Sequence, residues 1–197
     1  MLYASTRSCG VPSLKYGEVE RITAPPSEWA ICTACALWAD QLQWVVSRFH
    51  PDVTVIQTGY WETQARQFGG GYATLADAAY SADIAANLAE AVQIAHSDGG
   101  AVILSTSPYF NDGTPHNLVD AYNQIVDSVA ARYPYVSIDD LYTVLDPGRA
   151  YATVVDGIVA RGSDGVHITE AAVDNLIEPA LNQVIANVAG AVYSSSS

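Results

Sequence analysis

The chain has 197 residues, half of them apolar, and carries 8 Lys and Arg against 21 Asp and Glu for a net charge of −13. That length and apolar content suffice for a single domain with its own core and require no second one. The negative field repels phosphate backbones and anionic membrane surfaces, so nucleic acid is not expected as a partner, while a neutral or cationic substrate is compatible with it. No stretch nears the roughly 20 continuous apolar residues of a membrane span. The N-terminus lacks the basic-then-apolar order of a signal peptide. The three cysteines, Cys9, Cys32 and Cys35, form no cluster with His that has structural-zinc spacing. Cys32-Thr33-Ala34-Cys35 follows a Pro25-Pro26 loop rather than a strand, which argues against a redox pair. No metal or organic cofactor is implied.

Along the chain, residues 1–35 fit regular structure least. Leu2-Tyr3-Ala4 suits a short strand, but the rest, through Pro12 and Pro25-Pro26, is a long loop-like stretch of the kind that is functional or disordered in compact domains. From residue 36 helical and strand patterns alternate, the signature of a parallel sheet covered by helices. Trp38, Leu42, Val45, Val46 and Phe49 share a helical face that Pro51 stops, and Val53-Thr54-Val55-Ile56 reads as a buried strand. After a glycine break at 69–71, Ala85, Leu88, Ala89, Val92 and Ala95 predict a second helix closed by Gly99-Gly100, followed by a strand at Ala101-Val102-Ile103-Leu104. Val119, Tyr122, Ile125, Val126 and Val129 mark a third helix, and Tyr135-Val136-Ser137-Ile138 a third strand. The last helix starts at the N-cap Thr169, runs along Val173, Leu176, Ile177, Ala180, Leu181, Val184, Ile185 and Val188, and is expected to bend at Pro179. Without an internal repeat or linker, the pattern predicts one three-layer α/β/α domain over residues 1–193 and a polar tail at 194–197.

Ligands bind beyond the carboxyl ends of strands in open parallel sheets, so the loops after each strand are read for chemistry. Gln57 to Glu62, Ser105 to Asn111 and Ser163 to His167 are three polar and aromatic crest segments placed to line one cleft. Asp164 and His167 stand three apart in a glycine-containing turn, so the carboxylate can fold back onto Nδ1 and leave the other nitrogen outward as a general base. The same spacing also suits an Asp that caps the turn beside a packed His. Glu62 and Arg66 read either as an exposed helical ion pair or as Glu62 orienting its loop or a sugar hydroxyl. Tyr60, Trp61, Tyr109 and Phe110 read either as an aromatic wall or as packing, and Asn123 as a local hydrogen-bonding residue.

Asp-Gly-Val-His-Ile-Thr before a long C-terminal helix resembles the last block of SGNH/GDSL hydrolases, in which Asp and His complete a triad with a serine. Gly59-Tyr60-Trp61-Glu62 resembles the third block, in the Gly-x-Trp-Glu form of SGNH domains attached to bacterial membrane acyltransferases. Ser8-Cys9-Gly10-Val11 sits where the second block's glycine would lie, and Cys35-Ala36-Leu37-Trp38 matches a Cys-x-x-Trp helix start. The likeness spans about residues 5–182. It implies a flavodoxin-like parallel sheet and an esterase or O-acetyl transferase acting on a glycan or cell-envelope ester. The implied site has His167 as base, Asp164 as its orienter, Gly10 and Gly59 near the oxyanion, and Tyr60, Trp61 and Glu62 near the substrate. It also implies an extracytoplasmic location, a membrane acyltransferase domain as a companion, and a Cys9–Cys35 disulfide with Cys32 free. Two departures stand out. Trp61 occupies the position of the family's oxyanion-donating Asn, and no Gly-Asp-Ser block occurs, so the sheet is expected to lack its first strand and the nucleophile is unassigned. Ser5 and Ser8 are the only serines placed early enough to replace it. The alternative is a catalytically inactive SGNH-like domain that binds carbohydrate or a protein. Neither reading specifies the oligomeric state.

Overall fold

A computed structural model describes residues 18–19, 30–31 and 38–194. Cys9, Gly10, Cys32, Cys35, Ser5, Ser8 and the strand expected at residues 2–4 lie outside them. Glu18–Val19 (β1) and Ala30–Ile31 (β2) pair antiparallel. Trp38–Phe49 (α1) packs Trp38 and Leu42 on the core and ends as His50 turns left-handed ahead of Pro51. Val53–Gln57 (β3) leads through Gly59 into one helical turn, Tyr60–Thr63 (α2). Arg66–Phe68 (β4) and Gly71–Ala73 (β5) form a hairpin. Ala78–Ala95 (α3) starts at Asp77, whose carboxylate accepts the amides of Ala79 and Tyr80, and buries Ile84, Leu88, Val92 and Ala95. Ala101–Ser105 (β6) is buried along its whole length. His116–Ala130 (α4), Val136–Asp139 (β7) and Leu141–Leu145 (α5) follow, then a second hairpin of Val154–Val155 (β8) and Ile158–Val159 (β9). Glu170–Ala172 (α6) is capped by Thr169, and Glu178–Ser194 (α7) closes the described chain.

The three central strands run parallel in the order β3-β6-β7, with Gln57, Ser105 and Asp139 in one register row at their carboxyl ends. Period-two alternation splits their side chains between two cores. Ile56, Val102, Leu104, Val136 and Ile138 join α1, α3 and α4 on one face. Val53, Ala101 and Ile103 meet Leu181, Val184, Ile185 and Val188 of α7 on the other. The fold is therefore the expected α/β class with helices on both faces. Among the described residues β3 has a strand neighbour on its β6 side only, and its Val55 is 37 % exposed.

The expected bend at Pro179 takes the form of a wider turn. Residues Val173–Ile177 are π-helical, and the Glu178 amide reaches back to the Val173 carbonyl. Proline has no N–H and its ring crowds the preceding turn, so loosening the helix just before it relieves both problems. Neither hairpin shows in the hydrophobic pattern, although Gly69-Gly70 and Asp156-Gly157 each place two consecutive residues at positive φ, as tight hairpin turns require.

Gly100 is the tightest point between the end of α3 and β6. A Cβ there would stand 2.2 Å from the Pro51 carbonyl oxygen. Gly100→Ala is expected to cost about 1–3 kcal/mol in urea unfolding. Tyr72→Ser, at a side chain 79 % exposed, should change stability by less than about 0.5 kcal/mol.

Candidate active site

The crest loops meet as the sheet topology predicts. The turn after Arg161 is held by Gly162 N–H donating to the His167 carbonyl at 2.7 Å and Gly165 N–H to the Gly162 carbonyl at 3.1 Å. Within it Asp164 uses both carboxylate oxygens. Oδ1 accepts the backbone amides of Val166 and His167, each at 3.0 Å, and Oδ2 lies 2.5 Å from His167 Nδ1. These bonds, first from Val166 N–H, then from the imidazole and the His167 amide, hold the Asp164 carboxyl down to about 2. An ionised carboxylate only accepts, so Nδ1 carries a proton, and in the neutral tautomer Nε2 is the acceptor. The His167 side chain is 84 % exposed. Asp164 caps the turn with one oxygen and bonds the imidazole with the other, and His167 is not packed.

This turn is docked against the second crest loop. Asn111 N–H donates to the Gly165 carbonyl at 3.1 Å. Gly165 has φ +73°, and a Cβ there would lie 2.9 Å from the Asn111 Cβ, so glycine is required on both counts. Val166 packs with Tyr60, Tyr109, Phe110 and Tyr151 in one cluster. Tyr109 and Phe110 are 5 % and 6 % exposed, so this part of the expected aromatic wall is packing beneath the rim. Tyr60 joins the first and second crest loops, with its hydroxyl donating to Asp112 Oδ2 at 2.9 Å and its ring edge-on to Phe110 at 4.9 Å. Burial, together with the bond and charge of Asp112 and the charge of Asp164, pushes the Tyr60 hydroxyl up to about 12. Tyr60 thus lies within the field of the dyad's carboxylate.

Gly59 and Glu62 do not take the oxyanion and substrate places expected of them. Gly59 N–H donates to Glu62 Oε2 at 2.6 Å, so it is committed inside its own turn and is no free oxyanion donor. Glu62 is fully buried and cannot reach a substrate; it orients the loop through Gly59. Nor does it form a helical ion pair with Arg66, because α2 ends at Thr63 and Arg66 belongs to β4. Arg66 instead donates from Nε to the Trp61 carbonyl at 3.3 Å and lies 4.9 Å above the Trp61 ring. Trp61 remains half-buried at the edge of the site. Gly59 itself, at φ +137°, must be glycine, since a Cβ would come within 2.5 Å of Ser107.

Asn123 is the local hydrogen-bonding residue expected, clasping Ser107 through both backbone groups at 2.7 and 2.9 Å. Tyr122 bonds the Thr58 hydroxyl from the same helix. The sequence reading missed Asp112, one residue beyond its crest segment, and the buried Asp146 and Arg161, which are too far apart in sequence to show a pattern. Among the described residues no group of three His, Cys, Asp or Glu is placed to hold a metal ion, and no helix is long and apolar enough to cross a membrane.

A parallel α/β sheet carrying an Asp–His dyad on its carboxyl rim is the class that fold and site define. Residues 34–183 match the family described as "Protein of unknown function (DUF459)", and the chain belongs to that family. No curated protein matches it. Among solved structures it is similar to a "putative acylhydrolase" from Bacteroides fragilis NCTC 9343, at 22 % identity and a TM-score of 0.49, covering 76 % of this chain and 70 % of that one.

Glu62 makes the site's support sensitive to pH. Burial outweighs the Gly59 N–H bond and the Arg66 charge, pushing its carboxyl from 4.5 up to about 7. The folded protein then holds this proton more tightly than the unfolded chain does, so stability falls as pH rises between those two values and levels off above them. Glu62→Gln keeps an acceptor for Gly59 and should remove that fall, which is on the order of 3 kcal/mol. Urea unfolding of both proteins at pH 5 and pH 8 checks this; parallel changes in the two would contradict it.

Proposed function

We propose that the chain provides the base and orienter of an SGNH-type ester hydrolase or O-acyl transferase. The observation that supports this best is the 2.5 Å Asp164–His167 bond, with no partner on Nε2 among the described residues. In the proposed reaction Nε2 takes the proton of a serine hydroxyl as the oxygen attacks the ester carbonyl, while Asp164 stays ionised and stabilises the imidazolium. Collapse of the tetrahedral intermediate expels the alkoxide, which takes that proton from Nε2. Water, or an acceptor alcohol in a transferase, then attacks the acyl-serine by the same steps.

The serine is unassigned. In this reading it comes on a strand that pairs with the edge of β3 that has no strand neighbour among the described residues. A glycan or cell-envelope ester as substrate, with the half-buried Trp61 and Tyr60 beside it, follows from the family likeness, as do an extracytoplasmic setting and a membrane acyltransferase companion. Gly10 is then the remaining candidate for an oxyanion donor. A second reading, an inactive domain that binds carbohydrate or protein, gains support from the Gly59 N–H bound to Glu62 and from Trp61 in the place of the donor Asn.

Acetyl release from an activated ester separates the two. The 197-residue chain should be no faster than a solvent-exposed imidazole. A form extended upstream to a Gly-Asp-Ser strand, where the gene encodes one, should turn over and lose about 10³-fold or more with His167→Ala. Extended protein without turnover that still binds glycan would favour the second reading. Robust activity of the 197-residue chain that survives Ser5→Ala and Ser8→Ala but disappears with His167→Ala would overturn the proposal that its nucleophile lies upstream.

A further inference from the structure

We propose that the buried Asp146–Arg161 pair is a positioning element that holds the dyad's turn against the crest loop at 107–111. It rests on the reading of His167 as base and Asp164 as its orienter. The dyad cannot be placed from the solvent side, because His167 is 84 % and Asp164 50 % exposed. Whatever sets the turn's position must act from beneath. Directly behind it, Arg161 and Asp146 have side chains 0 % exposed, with Nη2 at 3.1 and 3.2 Å from the two carboxylate oxygens.

The contacts around the pair close a circuit. Asp146 Oδ2 accepts the Tyr109 amide of the crest loop at 2.6 Å, and Oδ1 accepts the Ala152 amide at 3.1 Å. Arg161 is bridged through its backbone to Ile168, and the next residue, Gly162, donates to the His167 carbonyl. Gly165, in the same turn, returns to the crest loop by accepting the Asn111 amide. Tyr109 and Asn111 therefore reach the dyad's turn by two routes, one through Asp146 and Arg161 and one through Gly165.

As a stabiliser the pair is poorly built. Arg161 Nε and Nη1 are buried without a hydrogen-bond partner among the described residues. Apolar residues of equal volume commonly replace such buried pairs with no loss of stability. Apolar residues cannot, however, tie two backbone amides and a cation from three separate segments to one point. Fixing those segments relative to one another is what this carboxylate does here.

Native-state hydrogen exchange followed by NMR tests the proposal on the 197-residue chain, with Arg161→Lys and Arg161→Met. Arg161→Lys keeps the charge, but its shorter stem withdraws the nitrogen from the place where Nη2 meets both oxygens. The Asn111 and Gly162 amides should exchange at least about 10-fold faster in it, while Ile103 and Leu104 in β6 keep their protection. The downfield Nδ1–H resonance of His167 should persist, because its bond to Asp164 lies within the turn. Unchanged protection at Asn111 and Gly162 would overturn the proposal. So would equal acceleration of the β6 amides, which would make the pair a stability element only. Should Arg161→Met fail to fold, Arg161→Lys decides alone. None of these readouts needs turnover, so a negative result here leaves the hydrolase reading standing, and failure of that reading leaves the coupling measurable.

Discussion

The pairing of β6 with a parallel neighbour on each side is the constraint on which the rest of the structure depends. Because both ladders are parallel and in register, Gln57, Ser105 and Asp139 end together, and the segments that follow must all emerge at one edge. Burial of every residue of β6 makes this register hard to shift, since a slip by one residue would exchange Ile103 and Leu104 between two differently shaped cores. The alignment of the first two crest loops is a consequence of that register, and Tyr60 and Asn111 then carry it to the turn of the dyad.

The elements legible in the sequence were those that bury a continuous apolar face. Val92 and Ala95 on α3 and Val126 and Val129 on α4 lie where periodicity places them, because each helix buries one face, and the strands read as apolar runs at 53–56 and 101–104 lie between two cores. The two hairpins bury little. Tyr72, Val154 and Val159 are largely exposed, so the only trace of these elements is turn chemistry, Gly69-Gly70 and Asp156-Gly157. At the site, Asp164 and His167 were legible because their relation is local, three residues within one turn. Asp146 and Arg161 were not, since they are 15 residues apart and no periodicity connects a helix cap to a bridge residue.

Glu62 takes one of the roles its position suggests, orienting its own loop, and not that of touching substrate. Its place after a Gly-x-Trp at the crest of a strand suggests contact with substrate, yet the carboxylate turns inward. It closes the turn on Gly59, whose backbone at φ +137° and ψ −51° needs such a tie. The consequence reaches the chemistry. With Gly59 N–H occupied and Trp61 beside it packed under Arg66, this segment shapes the rim and offers no obvious donor to a developing oxyanion. In the proposed mechanism the Gly59 amide is therefore not the oxyanion donor.

The two halves of the site are therefore built on different physical footings. The Asp164–His167 bond is made by residues of one turn, two of whose amides already hold the carboxylate, so the dyad forms wherever that turn forms. Its position relative to the rest of the rim has no such local guarantee. Exposed side chains gain little from contacts that water can replace, so the turn is located by what lies under it: the Gly165–Asn111 contact, the Val166 cluster and the buried Asp146–Arg161 pair. In the proposed mechanism a base that is correctly oriented but loosely located would be a poor catalyst, because proton transfer requires its nitrogen within hydrogen-bond reach of the hydroxyl it serves. The buried charges and the strict glycine at 165 are costly features for a surface turn, and that cost is intelligible where the turn's location, and not only its internal geometry, is what the site requires.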